Sequence, residues 1–412
     1  MADYAANSKA VIYPARTVSG YGHIFSLGIA GIHITALAHV DCENFKSRYV
    51  REKYVVPDPR INHEAFINWL LDYGSRQKTK PVLFMVEDPY AYLASLYQDQ
   101  LRNFFLFPYI PLDTIEAFFH KGVMFRKALD AGVRFPKSIC SPFANNDFNE
   151  WSDFPAIIKP LVSRFRFRGK KFVCLRTFPE IFGGKAVLVS NHAEIRDFAK
   201  RIEAAQLEFC IQKYIPGDNF RLFTIYFVAA PGGCIPSFST HYKVRQHPAD
   251  FGTTSVSQSK CIPELGHYAA RFCEATGYVG PGTMEFKVSS EDDLWYLMEI
   301  NARLGFSIRR STVKGVNMPL QQYLLSTGQE LLEMRQCDDG RHWIDLAGDI
   351  KGLRWRRGKP QWRLSIRQII RPYLLFHEAV FNFRDPLPGI IKYYSSLLRL
   401  VKYWLRLIRI MK

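Results

Sequence analysis

The stretch Gly280 to Ser307, reading GPGTMEFKVSSEDDLWYLMEINARLGFS, limits what this chain can become more than any other. It reads as a strand ending in Glu285, a polar turn over Ser289 to Asp293, and a second strand, Leu294 to Ile300, leaving through Glu299, Asn301 and Arg303. Alternating apolar and polar residues around a turn-rich break mark a hairpin. Paired in that way, the strands bring Glu285 and Glu299 to the same end of a sheet. Two carboxylates and an amide oxygen at one spot repel and shift one another unless a cation lies between them. Hard oxygen donors suit magnesium, which keeps several waters and bridges to substrate phosphates. Arg303 adds a planar guanidinium that can neutralise charge on a transferring phosphoryl group. A lone Glu-Phe-Lys would be an ordinary solvated hairpin; the whole constellation points to a site.

Glu285-Phe-Lys together with Glu299-Ile-Asn-Ala-Arg303 resembles the metal-binding end of the ATP-grasp superfamily, in particular its carboxylate-amine ligases of the carbamoyl-phosphate synthase and D-aspartate ligase kind. The resemblance runs from about Ser26 to Pro319. It implies an α+β fold, an ATP-grasp pair of lobes clamping ATP, preceded by a Rossmann-like pre-ATP-grasp α/β domain. It also implies ATP and Mg2+ (or Mn2+) as cofactors, with Glu285, Glu299 and Asn301 as metal ligands.

Upstream, a polar leader precedes His23 to Val40, half helix-like and half apolar strand, and a helix from His63 to Tyr73 precedes the strand Val82 to Val86, which ends in Glu87-Asp88. Alternation of strand and helix predicts a small parallel sheet. Gly20 and Gly22 lack the third glycine and downstream acid of a dinucleotide loop, and no GxxxxGK[ST] occurs;.

The segment from His120 reads as a helix capped by Gly132;. By the resemblance it opens the nucleotide lobe with a phosphate-binding lysine, Lys121, with Lys127 as the alternative. The strand Ala156-Ile157-Ile158 delivers Lys159 into a turn fixed by Pro160, where an ammonium suits ATP phosphates;. Ser163 to Lys171, SRFRFRGKK, departs from the family, whose glycine-rich flap covers phosphates with backbone amides;. Here Arg164, Arg166 and Arg168 alternate around a single Gly169. The strand Glu208 to Ile215 leads into Pro216-Gly217-Asp218. The resemblance places Gln212, Lys213 and Ile215 along the adenine and Asp218 at the ribose hydroxyls, although Lys213 stands where many relatives carry a glutamate.

Ser237 to Arg245 forms another strand, whose alternation puts His241, Lys243 and Arg245 on one face;. Such a ladder suits a carboxylate or the γ-phosphate, so Lys243 and Arg245 join Arg303 as candidate catalytic cations. A solvated strand face is the competing reading.

The formal charge of +17 predicts attraction to something anionic;. Eight cysteines, scattered with no CxxC pair, read as buried thiols in a reducing cytosol;. Neither a signal peptide nor an uncharged apolar run of about 18 residues is apparent, so a cytoplasmic body is expected. The tail from Glu330 onward reads as separate. After Asp385 it has no acid, and from Ile390 to Lys412 Tyr394, Leu397, Leu398, Val401, Leu405 and Ile408 follow helical spacing on one face with Arg399, Lys402, Arg406 and Arg409 on another;. That pattern fits a helix lying on an anionic membrane, peripheral at its inner face, or packed on the body. No nucleic acid is expected, since no nucleic-acid module is recognised.

These readings divide the chain into a Rossmann-like domain over 1–119, an ATP-grasp domain over 120–329, and a basic helical C-terminal extension over 330–412. The expected function is ATP-dependent ligation of a small-molecule carboxylate to an amine, through an acylphosphate, on an amino acid or cell-envelope precursor. The alternatives are a nucleotide-binding protein without ligase turnover and a membrane-surface adaptor.

Overall fold

The computed structural model describes residues 9–141, 148–161, 165–168, 171–174, 184–205, 207–249, 251–356 and 364–394. Its first unit is a parallel sheet of β1 (Ala10–Tyr13), β2 (Ile34–Ala38), β3 (Val50–Val55) and β4 (Val82–Met85), in the order β3-β2-β1-β4. Strands β1, β2 and β4 are buried, largely apolar runs, as parallel strands covered by helices on both faces are;. The sequence VREKYV of β3 suits an exposed edge;. One face packs on α1 (Val18–Ile29) and the helix Met318–Ser326 through Ile24, Leu27, Leu320 and Tyr323. The other packs on α2 (His63–Ser75) and α3 (Asp88–Leu96) through Phe66, Leu70 and Leu93. The polar leader is therefore a correction: it contains β1, the strand on which the sheet is centred.

The second unit is an antiparallel sheet, β5-β10-β6-β9, made of β5 (Ser138–Cys140), β6 (Ala156–Pro160), β9 (Val187–Val189) and β10 (Phe209–Lys213). Between β6 and β9, β7 (Phe165–Arg168) pairs with β8 (Lys171–Cys174). This pairing is all that is described of the arginine-rich flap, whose remaining residues and side chains lie outside the described set. Helix His192–Ala204 covers the sheet through Ile195, Ala199 and Ile202, and begins on Asn191, whose side chain accepts from Glu194 N. Such a cap is worth about 1 kcal/mol.

The third unit is a seven-stranded sheet, β15-β14-β11-β12-β13-β16-β17. Its strands are β11 (Leu222–Ala229), β12 (Phe238–His247), β13 (Thr253–Ser259), β14 (Gly280–Val288), β15 (Trp295–Asn301), β16 (His342–Ile344) and β17 (Phe376–Glu378). One face buries Phe223, Ile225, Met284, Phe286 and Leu297 against the helices Leu112–Phe119 and Pro263–Thr276. The other face is the floor of a cleft.

Beyond residue 330 the described residues include two strands that join the large sheet, so this part of the tail packs on the body. β16 pairs with β13, β17 with β16, and the helix over 386–394 is tied down by a Tyr393 hydroxyl bond to Glu378. Residues 395–412, most of the proposed membrane helix, lie outside the described set. Among the described residues no helix is long and apolar enough to cross a membrane. The cysteines also differ from expectation: of those described, Cys210 and Cys273 are buried, whereas Cys234, Cys261 and Cys337 sit exposed in connecting segments.

Candidate active site

Glu285 and Glu299 are direct cross-strand partners on β14 and β15, with Thr283 opposite Asn301. β14 runs on to Val288 before the turn, so Glu285 lies inside the strand rather than at its end. The register slips just after this pair, since Phe286 faces Leu297. That bulge leaves Met298 unpaired, and both Met298 and Glu299 line the cleft;. Period-two alternation turns Thr283, Glu285 and Lys287 to the same side;.

The cleft encloses about 700 Å3 between the second and third sheets, with the ends of β1 and β4 closing one side. It brings together Lys121, Lys159, Gln212, Ile215, Lys243, Glu285, Glu299, Asn301 and Arg303. Lys121 opens the helix Lys121–Asp130, and its amide donates to Leu161 O at 3.0 Å. Lys159, on β6, donates from Nζ to Gln212 Oε1 at 2.6 Å, while Gln212 Nε2 donates to Ser138 Oγ at 2.9 Å. This chain fixes the orientation of the Gln212 amide. Burial holds the Lys159 ammonium down to a pKa of about 8, with Cys210 opposing and nearby Lys121 adding to the shift.

On the floor, Lys243 Nζ lies 2.8 Å from Glu285 Oε2. Glu299 stands open to the cleft yet surrounded by protein. Burial pushes its carboxyl up, but Lys121, Lys185, Arg303 and Lys159 together outweigh that and hold it below the usual range;. Arg303 forks onto Asp88, with Nε to Oδ1 and Nη2 to Oδ2 both at 2.6 Å. Its charge is thus already shared with the N-terminal unit. His241 is buried beneath the cleft, and burial, then Arg310 and Lys243, keep its imidazole neutral well below the usual range. Arg310 donates to His241 Nδ1, which leaves Nε2 as the protonated nitrogen;.

Three residues named from the sequence are placed elsewhere. Arg245 is 2% exposed and paired bidentately with Asp349, from Nε to Oδ1 at 2.8 Å and Nη2 to Oδ2 at 2.6 Å, with Nη1 donating to Gln368 O at 2.7 Å. The cause is an irregularity in β12 around Arg245, after which Gln246 rather than Arg245 lines the cleft;. A strict alternation therefore misassigns everything beyond Lys243. Lys213 follows Gln212 on β10 and does not line the cleft, and its amide already donates to Lys137 O at 2.9 Å. Asp218 is exposed, whereas its neighbours Gly217 and Asn219 line the cleft.

Sequence reasoning passed over Ser19, Lys185, Tyr214 and Lys287, which also line the cleft. Lys287 was legible, because it alternates with Glu285. Its Nζ lies 4.7 Å from the centre of the Tyr214 ring. Ser19 and Lys185 carried no local signal.

Among the described residues, no three His, Cys, Asp or Glu side chains cluster as a self-sufficient metal site. The donor set is two carboxylates and one amide oxygen, one carboxylate also holding Lys243. Such a set fits magnesium, which takes the rest of its shell from phosphates and water.

Residues 251–334 match the family described as carbamoyl-phosphate synthase L chain, ATP binding domain. Over 259 residues the chain is 24% identical to the D-aspartate ligase of Enterococcus faecium (strain Aus0004), covering 60% of this chain and 58% of that protein. The chain thus spans less than two thirds of that relative. The L-amino acid ligase from Bacillus licheniformis superposes with a TM-score of 0.58 at 14% identity, covering 80% of this chain and 75% of that one. For the N5-carboxyaminoimidazole synthetase from Staphylococcus aureus the TM-score is 0.57 at 16% identity, with 81% and 80% covered. At such identities the likeness shows a shared fold.

Proposed function

Starting from an ATP-grasp fold, we propose that this chain is an ATP-dependent ligase that joins a carboxylate to an amine. The supporting observation is the arrangement of one cleft: Glu285, Glu299 and Asn301 on its floor, with Lys121 and Lys159 reaching in from the opposite lobe.

The adenine lies against Ile215 and Gln212, and the two lysines grip the phosphates. Glu285, Glu299 and Asn301 would hold a divalent ion, magnesium or manganese, which would neutralise phosphate charge. An oxygen of the substrate carboxylate attacks the γ-phosphorus, the bond to the β-phosphate oxygen breaks, and ADP leaves an acylphosphate behind. The amine nitrogen then attacks the acyl carbon, phosphate departs, and the nitrogen loses its proton to give an amide. Lys243 and Arg303 stand beside these groups as fixed positive charge. Positioning and neutralisation carry most of the acceleration, as in other phosphoryl transfers.

The relatives named as ligases of D-aspartate and of L-amino acids support an amino acid as one substrate. The basic segment over 390–412 is assigned to the inner, cytoplasmic face of an anionic membrane, a reading that rests on its charge pattern;.

The test is amine-stimulated release of phosphate from ATP, with the product identified by mass spectrometry. Glu299→Gln should lower turnover by roughly 100- to 1000-fold without loss of folding, the scale of removing one preorganised electrostatic group. Full activity in that variant would remove the metal assignment, and no ATP cleavage with any amine would remove the ligase.

A further inference from the structure

We propose that Cys140 and Cys210 form a site of reversible oxidation, a dithiol that hydrogen peroxide closes into a disulfide between β5 and β10 and that nucleotide in the cleft protects. The protection, though not the oxidation, rests on the nucleotide reading of the cleft.

The two cysteines are direct partners across neighbouring antiparallel strands. The ladder bonds around them run from Ser141 N to Phe209 O and from Lys213 N to Lys137 O, both at 2.9 Å. Backbone bonding alternates along such a ladder, so Cys140 and Cys210 fall at a position that exchanges no amide bonds, where facing Cα atoms come within about 4.5 Å. A disulfide spans Cα separations of about 4.4–6.8 Å, so this backbone arrangement suits one. Among the described residues no other two cysteines are strand partners.

The sulfurs share a face with the candidate phosphate grip. Lys159 is the partner of Cys210 on its other side, so Cys140, Cys210 and Lys159 form one row across β5, β10 and β6. The two thiols are hydrogen-bonded to each other. Cys140 Sγ also lies against the first turn of the helix Lys121–Asp130, where a Cβ added to Gly122 would come 3.4 Å from it. Nearby ammonium groups and a helix N-terminus both favour a thiolate. Burial opposes ionisation of Cys210, but the hydrogen bond from Cys140 and the charges of Lys159 and Lys121 outweigh it and bring that thiol down to about 7, while the same bond pushes Cys140 up. The pair therefore gives up one proton readily and holds the other between its sulfurs. Cys210 is buried and Cys140 half-buried, so the sulfur that meets solvent is that of Cys140.

Cys140 passes its proton to Cys210 along their hydrogen bond and attacks one oxygen of the peroxide. The O–O bond breaks, and the hydroxide released takes a proton to become water, leaving a sulfenic acid on Cys140. The Cys210 sulfur then attacks the Cys140 sulfur, the S–O bond breaks, and the hydroxyl departs with the Cys210 proton as a second water. Two thiols lose two electrons and two protons, and one peroxide becomes two waters. A thiol reductant reopens the bridge by exchange.

The ammonium groups that favour the thiolate are the ones assigned to ATP. Phosphates against Lys121 and Lys159 bring negative charge to this row, and a like charge nearby disfavours a thiolate. Bound nucleotide therefore slows the oxidation.

The experiment is timed exposure of the fully reduced full chain to hydrogen peroxide at neutral pH, with and without Mg2+ and the non-hydrolysable analogue AMP-PNP, followed by alkylation with N-ethylmaleimide and peptide mass spectrometry. AMP-PNP binding is measured on the same preparation by calorimetry. We expect a peptide linking Cys140 to Cys210, lost on treatment with dithiothreitol and absent from Cys140→Ser, while the exposed Cys234, Cys261 and Cys337 keep their thiols longer;. AMP-PNP should slow the linkage by at least about fivefold and leave those exposed thiols unaffected. Oxidation of the exposed thiols before any linkage of Cys140 to Cys210, or a linkage formed equally fast with and without AMP-PNP in a chain that binds it, overturns the proposal. A linkage in a chain that binds no AMP-PNP keeps the oxidation site and strikes the nucleotide reading instead.

Discussion

Asp88 and Arg303, separated by 215 residues, are joined by two hydrogen bonds of 2.6 Å in a fork. The acid follows β4 of the parallel sheet and the arginine follows β15 of the large one, so this pair clamps the N-terminal unit to the large sheet across the cleft wall. Both side chains are 21% exposed, which places them at the cleft wall rather than in the core.

Asp88→Asn keeps the size and one acceptor but removes the charge that holds Arg303. A hydrogen bond to a charged group is worth about 1.5–3 kcal/mol, so kcat/KM should fall by roughly 10- to 100-fold. ATP affinity should hold, because Lys121 and Lys159 are untouched. Steady-state kinetics beside nucleotide titration separates the two, and unchanged kinetics would make the fork purely architectural.

Lys159 provides a pH test. Its ammonium is charged below a pKa of about 8 and neutral above it, and the phosphates of bound ATP favour the charged form;. Affinity for an ATP analogue should therefore be level up to about pH 8 and then fall, by up to about tenfold per pH unit. Lys159→Arg should abolish that fall, because a guanidinium stays charged. A flat profile in the parent protein would show that Lys159 does not meet the nucleotide.

Arg245 and Lys243 are two residues apart, yet their losses should be felt differently. Arg245→Met strands Asp349, which is 0% exposed, and breaking a buried pair costs about 3–5 kcal/mol;. Lys243→Met removes a cleft cation paired with Glu285 and should lower turnover more than stability. Urea denaturation beside activity measurements distinguishes them. Comparable stability losses would return Arg245 and Lys243 to one class.

The tail can be tested without disturbing the body, because Tyr393 and Lys392 already anchor it through Glu378 and Asp345. Removing residues 395–412 deletes five basic side chains, Arg399, Lys402, Arg406, Arg409 and Lys412. At about 1 kcal/mol each near an anionic surface, their loss should abolish co-sedimentation with phosphatidylserine vesicles. Equal sedimentation of the truncated and full chains would end the membrane assignment.

What the sequence determined by itself was local. The alternation of β14 and β15 around a polar turn aligns Glu285 with Glu299, and the short apolar run of β6 presents Lys159, because both rest on neighbours two residues apart;. β1 escaped notice because four residues, AVIY, give too short a pattern, and three-residue β16 and β17 escaped for the same reason;. Tertiary structure alone decided which charges are free. The irregularity in β12 sent Arg245 into the interior to meet an acid 104 residues away, Asp88 claimed Arg303, and packing of the sheets put Ser19 and Glu87 on the wall of the same cleft. Burial and pairing across such distances depend on how sheets pack together, and no pattern of adjacent residues encodes that.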